Sequence, residues 1–441
     1  MLGNLIILLL AFVIGFVIFE LLSFRSEGRA DMRKLFCVLF FAGAAYLLAC
    51  YTYMELNGFK WLFSFDSINY YVPYVEEFVR YSNGSISKVF KDIFTDYEIL
   101  SQDIPAYWLY TVPWAMLGQS VGADIYFSIQ VSILFLYPFV GIMIFKLFQR
   151  FNIHKKALKY TLLICLFSIV FYYSSIILRD FHILLLYLIA INISLSEKQN
   201  YIRLILLIIT IVITILFRVE SGLFLALCIP VYLFATKLKN KYQIAISAFA
   251  GLFIVGYFFN YFSQIQEIYD TNHEVYLVEV ETSSGIVNRL NSIPVIGNFL
   301  SIFYNACQPL PFWSVLQPVV TVKYGAEARN IMAFPRVFSA FFNVWTVVIL
   351  SGLAFNRKLS AFFKSDIRFS VKMQVIIGVL FLYMQSTVMT QRRLMGYYCL
   401  YYVLAFAIYS QMNSKLRHQY NMIAVVLFVS LQIFGAIFLN S

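Results

Sequence analysis

The stretch Ser175–Asn192, SIILRDFHILLLYLIAIN, sets an arginine and an aspartate between two long apolar runs. A charge at the centre of a bilayer costs about 3 kcal/mol or more, so Arg179 and Asp180 belong either at a membrane surface or at a functional site. The chain around them has 441 residues, 61% of them hydrophobic and 12% charged. With that composition, apolar runs of about 20 residues are counted before any globular domain is proposed. The count predicts an all-α polytopic membrane protein, a single integral membrane domain over 1–441.

Continuous hydropathy places spans at 2–22, 35–53, 124–145, 160–178, 181–196, 204–217, 222–236, 242–258, 337–355, 373–390, 394–410 and 422–438, twelve in all. The first has no basic stretch before it and no small-residue cleavage site after it, so it is expected to be a retained helix. The run IPAYWLYTVPWAMLG (104–118) is short, holds Pro105 and Pro113, and is rich in Tyr and Trp. It is expected to lie along the membrane or re-enter it, because a crossing there would put the basic segment 146–159 outside. The run SIPVIGNFLSIFYNACQPLPFWSVLQPVV is read the same way, since Asn305, Gln308 and its prolines interrupt it.

With these two set aside, the loops 23–34, 146–159, 197–203, 237–241, 356–372 and 411–421 share one side and carry 21 of the 33 Lys and Arg. That side is expected to be cytoplasmic. The net charge of +11 is therefore a topology signal, and nucleic acid is not an expected partner. Two long loops, 54–123 and 259–336, fall on the other side. The six cysteines form no disulfide framework or CxxC pair, and the four histidines suggest no metal site. No cofactor is expected.

The opening pair now falls on the outer surface. So do Arg218 in ILFRVESGLF, Arg336 in MAFPRVFSAF, and Arg392 with Arg393 in TQRRLMG. All are arginines, whose planar, permanently charged fork binds phosphate bidentately where lysine offers a point charge. A common pocket for an anionic group is expected. Each arginine taken singly also fits snorkelling, or pairing with a neighbour such as Asp180 or Glu220. In the first long loop, FSFDSINYYVPYVEEFVRYSNG spaces Asp66, Tyr70 and Tyr74 by four, with Glu77 three later. A helix capped by Ser64 or Asp66 would stack them on one face, although Pro73 would kink it or start a new one. Asp66, Glu76 and Glu77 are the candidate carboxylates for taking or orienting a hydroxyl proton, and the tyrosines suit a sugar. An ordinary N-cap on an interfacial helix fits the same residues.

The order FDSINYY, DIPAYWLYTVPWAMLG, FKLFQRFNIHKK, IILRDFHILLLYL and FRVESGLFLAL resembles membrane-embedded glycosyltransferases of the GT-C type. Within them it is similar to the Wzy-type and EpsG-like polysaccharide polymerases of bacteria, over about residues 35–236. The resemblance implies a bacterial inner-membrane enzyme that polymerises polyprenyl-diphosphate-linked oligosaccharides on the outer face, making O-antigen, capsule or exopolysaccharide. It implies glycan donor and acceptor as partners, with a chain-length regulator alongside. Asp66 looks like the acidic residue of the first external loop, and Arg179 and Arg218 look like ligands of the diphosphate. O-antigen ligases show an arginine followed eleven residues later by glycine, and no external arginine here has that spacing. The rival expectation is a flippase for the same lipids, which would show midplane charges, internal repeats and broken helices.

Overall fold

The computed structural model describes residues 2–56, 71–95, 104–196, 200–226, 306–316, 318–321, 327–329, 331–355 and 395–440, with Cys228, Ile229, Tyr232 and Phe303 besides. Its helices are α1 (Leu2–Ser23), α2 (Arg29–Leu56), α3 (Val72–Ser82), α4 (Ile86–Thr95), α5 (Pro105–Ser120), α6 (Ile125–Arg150) and α7 (His154–Phe167). Then come α8 (Ile169–Tyr173), α9 (Asp180–Ser194), α10 (Tyr201–Phe217), α11 (Val219–Ala226), α12 (Phe334–Phe355), α13 (Met395–Gln411) and α14 (Ser414–Asn440).

The fold is an α-helical bundle, as the apolar runs predict, with one small departure. Within 259–336, Pro318–Thr321 pairs antiparallel with Glu327–Arg329, where PVVT supplies β-branched residues. Among the described residues five helices, against twelve expected spans in the whole chain, are long and apolar enough to cross a bilayer: Leu2–Ser23, Arg29–Leu56, Ile125–Arg150, Ile331–Gly352 and Ser414–Ile437. The expected spans 181–196, 204–217 and 394–410 correspond to helices of 15, 17 and 17 residues. Span 222–236 is described as a continuous helix to Ala226, with Cys228, Ile229 and Tyr232 also helical, and 242–258 and 373–390 lie outside the described residues. Span 160–178 is broken. Ser168 leaves helical geometry (φ −118°, ψ 178°) and its hydroxyl caps Val170 N–H, so α7 ends and α8 begins there.

Helix α6 is the axis of the bundle. Of its apolar window 83% is buried, against 28% for α1 and 11% for Ser414–Ile437. Small residues let α2 approach α6: a Cβ added at Gly43 would sit 2.4 Å from Leu134 Cδ1, and one at Gly141 would sit 2.2 Å from Leu39 Cδ1. The outer helices keep apolar faces exposed, among them Leu9 and Leu21 on α1, Ile202 and Ile205 on α10, and Val426 and Ile437 on α14. In water each would forfeit about 25 cal/mol per Å² of transfer free energy, whereas lipid solvates them, and such faces mark a membrane protein.

Side-chain contacts sort the helix ends into two groups. At one end, Asn4 Oδ1 accepts the N–H of Asp124 (3.0 Å), Tyr51 meets Phe127 edge-on, and Tyr46 OH donates to Met332 O (2.5 Å). This is the end that carries Arg179. At the other, Arg29 and Arg33 hold Glu20, Gln149 reaches Glu27 O (3.4 Å), and Arg150 Nε donates to Asn192 Oδ1 (3.4 Å). There, Phe148 packs on Tyr160 and Phe406.

Candidate functional site

The site is set by an interruption of helix. Between α8 and α9, residues 174–179 leave the helix but remain buried, with Ser174, Ser175, Ile176, Ile177 and Leu178 at 2% exposure or less. A buried non-helical link must find partners for its main chain. Gln130, fully buried on α6, supplies one by donating through Nε2 to Ser175 O (2.8 Å). The link ends at Arg179, and Asp180 opens α9, where a carboxylate in the first turn suits the helix dipole.

A second interruption faces it. Arg218 lies between α10 and α11 in extended geometry (φ −164°, ψ 118°), held by its N–H to Thr214 O. Arg218 Nη1 meets Asp180 Oδ1 at 2.8 Å, and both side chains are buried. Arg179 Nη1 donates to Phe217 O (3.1 Å). Its Nε is buried without a hydrogen-bond partner, and among the described residues Arg179 makes no ion pair. Asp180 is thus paired with Arg218, while Arg179 beside them makes no ion pair among the described residues.

Around this trio is an aromatic wall. His182, buried, stacks on Phe217 (5.0 Å, 26°) and meets Tyr110 and Tyr107 edge-on at 4.8 and 5.4 Å. Neither ring nitrogen of His182 has a hydrogen-bond partner among the described residues. Tyr107 and Tyr110 come from α5, the helix expected to lie along or re-enter the membrane; it packs against α6 with Trp108 fully buried. Tyr187 OH closes the far side on Ser221 O (3.1 Å).

The other predicted residues are placed as follows. Arg336, in the first turn of α12, lies over the Tyr172 ring at 5.4 Å and so reaches α8, which leads into the same link. Helix α3 runs from Val72 with Pro73 in its first turn, where its fixed φ is favourable, and the part of the expected face before Tyr71 lies outside the described residues. Tyr74 stacks on Trp108 (5.6 Å, 28°), whereas Glu76 and Glu77 are exposed and join no contact with the arginines among the described residues. Asp66, Tyr70, Arg392 and Arg393 lie outside the described residues, as does the side chain of Glu220. No group of three His, Cys, Asp or Glu side chains converges among the described residues.

Gln130 and His182 are the residues that sequence reasoning missed. Gln130 had a signal, a carboxamide in the midst of SIQVSILFL, since polar groups inside apolar helices tend to be functional or structural pins. His182 carried no such signal, being a lone histidine at the start of an apolar run. Comparison of the chain with family models, with curated proteins and with solved structures finds no match.

Proposed function

We propose that the protein is a membrane glycosyltransferase that joins polyprenyl-diphosphate-linked oligosaccharides at the Arg179 end, as an O-antigen, capsule or exopolysaccharide polymerase. The observation that carries this reading is Arg179, a guanidinium without an ion pair among the described residues, beside the buried Arg218–Asp180 pair. A diphosphate is the anion that such a fork fits best. In this reading the bundle sits in the inner membrane of a bacterium, the Arg179 end faces outward, and a chain-length regulator is the protein partner.

In the reaction, an acceptor sugar hydroxyl attacks the anomeric carbon of a second glycan. The new glycosidic bond forms as the bond from that carbon to the diphosphate oxygen breaks. The hydroxyl proton passes to Asp66, or to Glu76 or Glu77, and the electron pair leaves on the diphosphate. Negative charge grows there in the transition state, so arginines already held in place favour it over the ground state. Arg218 is fixed by Asp180, Arg179 by Phe217 O, and Arg336, with Arg392 and Arg393, would complete the anion site. Tyr70 and Tyr74 suit stacking on sugar rings.

The interruption at Ser168 and the link 174–179 favour a second reading, a flippase for the same lipids, since transporters place substrate at broken helices. One experiment separates the two. Purified protein in detergent is given a lipid-linked oligosaccharide and product length is read on a gel, for wild type, Arg179→Ala and Asp66→Ala. The polymerase reading expects ladders from wild type and a loss of at least about a hundredfold in either variant. No elongation, with movement of the lipid-linked sugar across vesicles, overturns it in favour of the flippase.

A further inference from the structure

At the opposite end of the bundle, between α7, α12, α13 and α14, lies an open cavity of about 580 Å³. That size is typical of a small-ligand pocket. Three basic side chains face it, Lys156 and Lys159 from α7 and Arg417 from α14, and no carboxylate is among its lining residues. The two lysines are three apart on one helix, so they share a face. They are exposed, and they stand near the start of α7, whose first turn holds no acidic residue. Cations at a helix N-terminus oppose its dipole, and an anion bound between them would offset that cost.

Arg417 is held ready. Its Nε donates to Tyr409 O (3.0 Å), its Nη2 to Ser410 O (2.9 Å), and the guanidinium lies over the Tyr409 ring at 5.1 Å. Its Nη1 makes no hydrogen bond among the described residues. The floor is aromatic: Tyr160 stacks on Phe406 (4.6 Å), and Trp345 is pinned by donating to Asn421 Oδ1 (3.0 Å). On the rim, Phe341 and Val425 are exposed and continue into the apolar outer face of α14 through Val426 and Val429. The cavity therefore has a cationic mouth at the level of the basic loops and an apolar side open to lipid.

We propose that this cavity binds the phosphate headgroup of an anionic phospholipid such as phosphatidylglycerol, with an acyl chain lying along the exposed face of α14. Charge complementarity and the lipid-facing exit together select this occupant, because a basic pocket between membrane helices attracts anionic headgroups. A soluble phosphate would use the three cations but not the apolar side. The proposal stands apart from sugar transfer at the Arg179 end.

The test is native mass spectrometry of the full chain in a neutral detergent, titrated with phosphatidylglycerol, with phosphatidylcholine, or with inorganic phosphate. Wild type is expected to retain one phosphatidylglycerol in preference to phosphatidylcholine, and millimolar phosphate is expected not to displace it. The double variant Lys156→Gln/Lys159→Gln, which changes only exposed side chains, should bind phosphatidylglycerol about thirtyfold more weakly. Raising salt should release the lipid from wild type, a measurement that needs no variant. Equal retention of phosphatidylcholine, unchanged binding by the double variant, indifference to salt, or displacement by phosphate alone would each overturn the proposal.

Discussion

The two ends of the bundle hold similar cations in opposite ways. At the Arg179 end, Arg218 is buried on Asp180 and Arg179 leans on Phe217 O, so the charges are drawn inside and their geometry is fixed by broken helices. At the other end, Lys156 and Lys159 stand exposed around a cavity whose lining holds no carboxylate. The difference teaches that removing a charge costs stability at the first end and only ligand at the second. A buried ion pair cannot lose one partner without leaving an uncompensated charge, whereas an exposed lysine returns to water.

Asp180→Ala is the variant most able to break this comparison. It removes the carboxylate that Arg218 meets in a buried site, and the expected loss is about 3–5 kcal/mol, read from denaturant unfolding in detergent. Asp180→Leu combined with Arg218→Met should recover most of that loss, because the cost lies in the orphaned charge rather than in the missing pair. If the single variant costs nothing, Arg218 is solvated and the contrast fails. Next in size is Gln130→Leu, which removes the donor to Ser175 O and leaves a buried carbonyl. About 1–3 kcal/mol should be lost, and amide exchange should rise in 174–179 while the exchange of α14 stays unchanged.

Two smaller effects sharpen the contrast. Burial pushes the Cys307 thiol up to about 12, so in folded protein at pH 7 maleimide should label it far more slowly than in unfolded chain. Fast labelling of the folded state would show that the thiol is not buried. Smallest of all, Lys156→Gln and Lys159→Gln should each leave unfolding within about 0.5 kcal/mol of wild type in the absence of anionic lipid. A larger change would mean that these lysines hold the helix rather than a ligand.

Much of the fold was legible because a bilayer reads composition directly. The runs beginning at Leu2, Leu35 and Ile125 are apolar for about twenty residues or more, and their helices follow. The helical breaks were not legible. Hydropathy averages over a window, so Ser168 and the Ser174–Ser175 pair vanish into the run 160–178, although each hydroxyl can compete with the helix for main-chain partners. Of the candidate site, Arg179, Asp180 and Arg218 could be named from charge in an apolar setting, but not who pairs with whom. The sequence offered Asp180 and Glu220 as neighbours with which an arginine could pair, and Arg218 meets Asp180 across 38 residues of chain.

What the sequence alone determined is a helical membrane protein, since this follows from one-dimensional counts of apolar and charged residues against the dimensions of a bilayer. Only the tertiary structure decided that two interrupted helices meet at Asp180, that Gln130 pins the link between them, and that Lys156 and Arg417, 261 positions apart, face one cavity. These depend on which helix faces meet, and that is fixed by packing between elements distant in the chain, as where Gly43 and Gly141 let α2 close on α6.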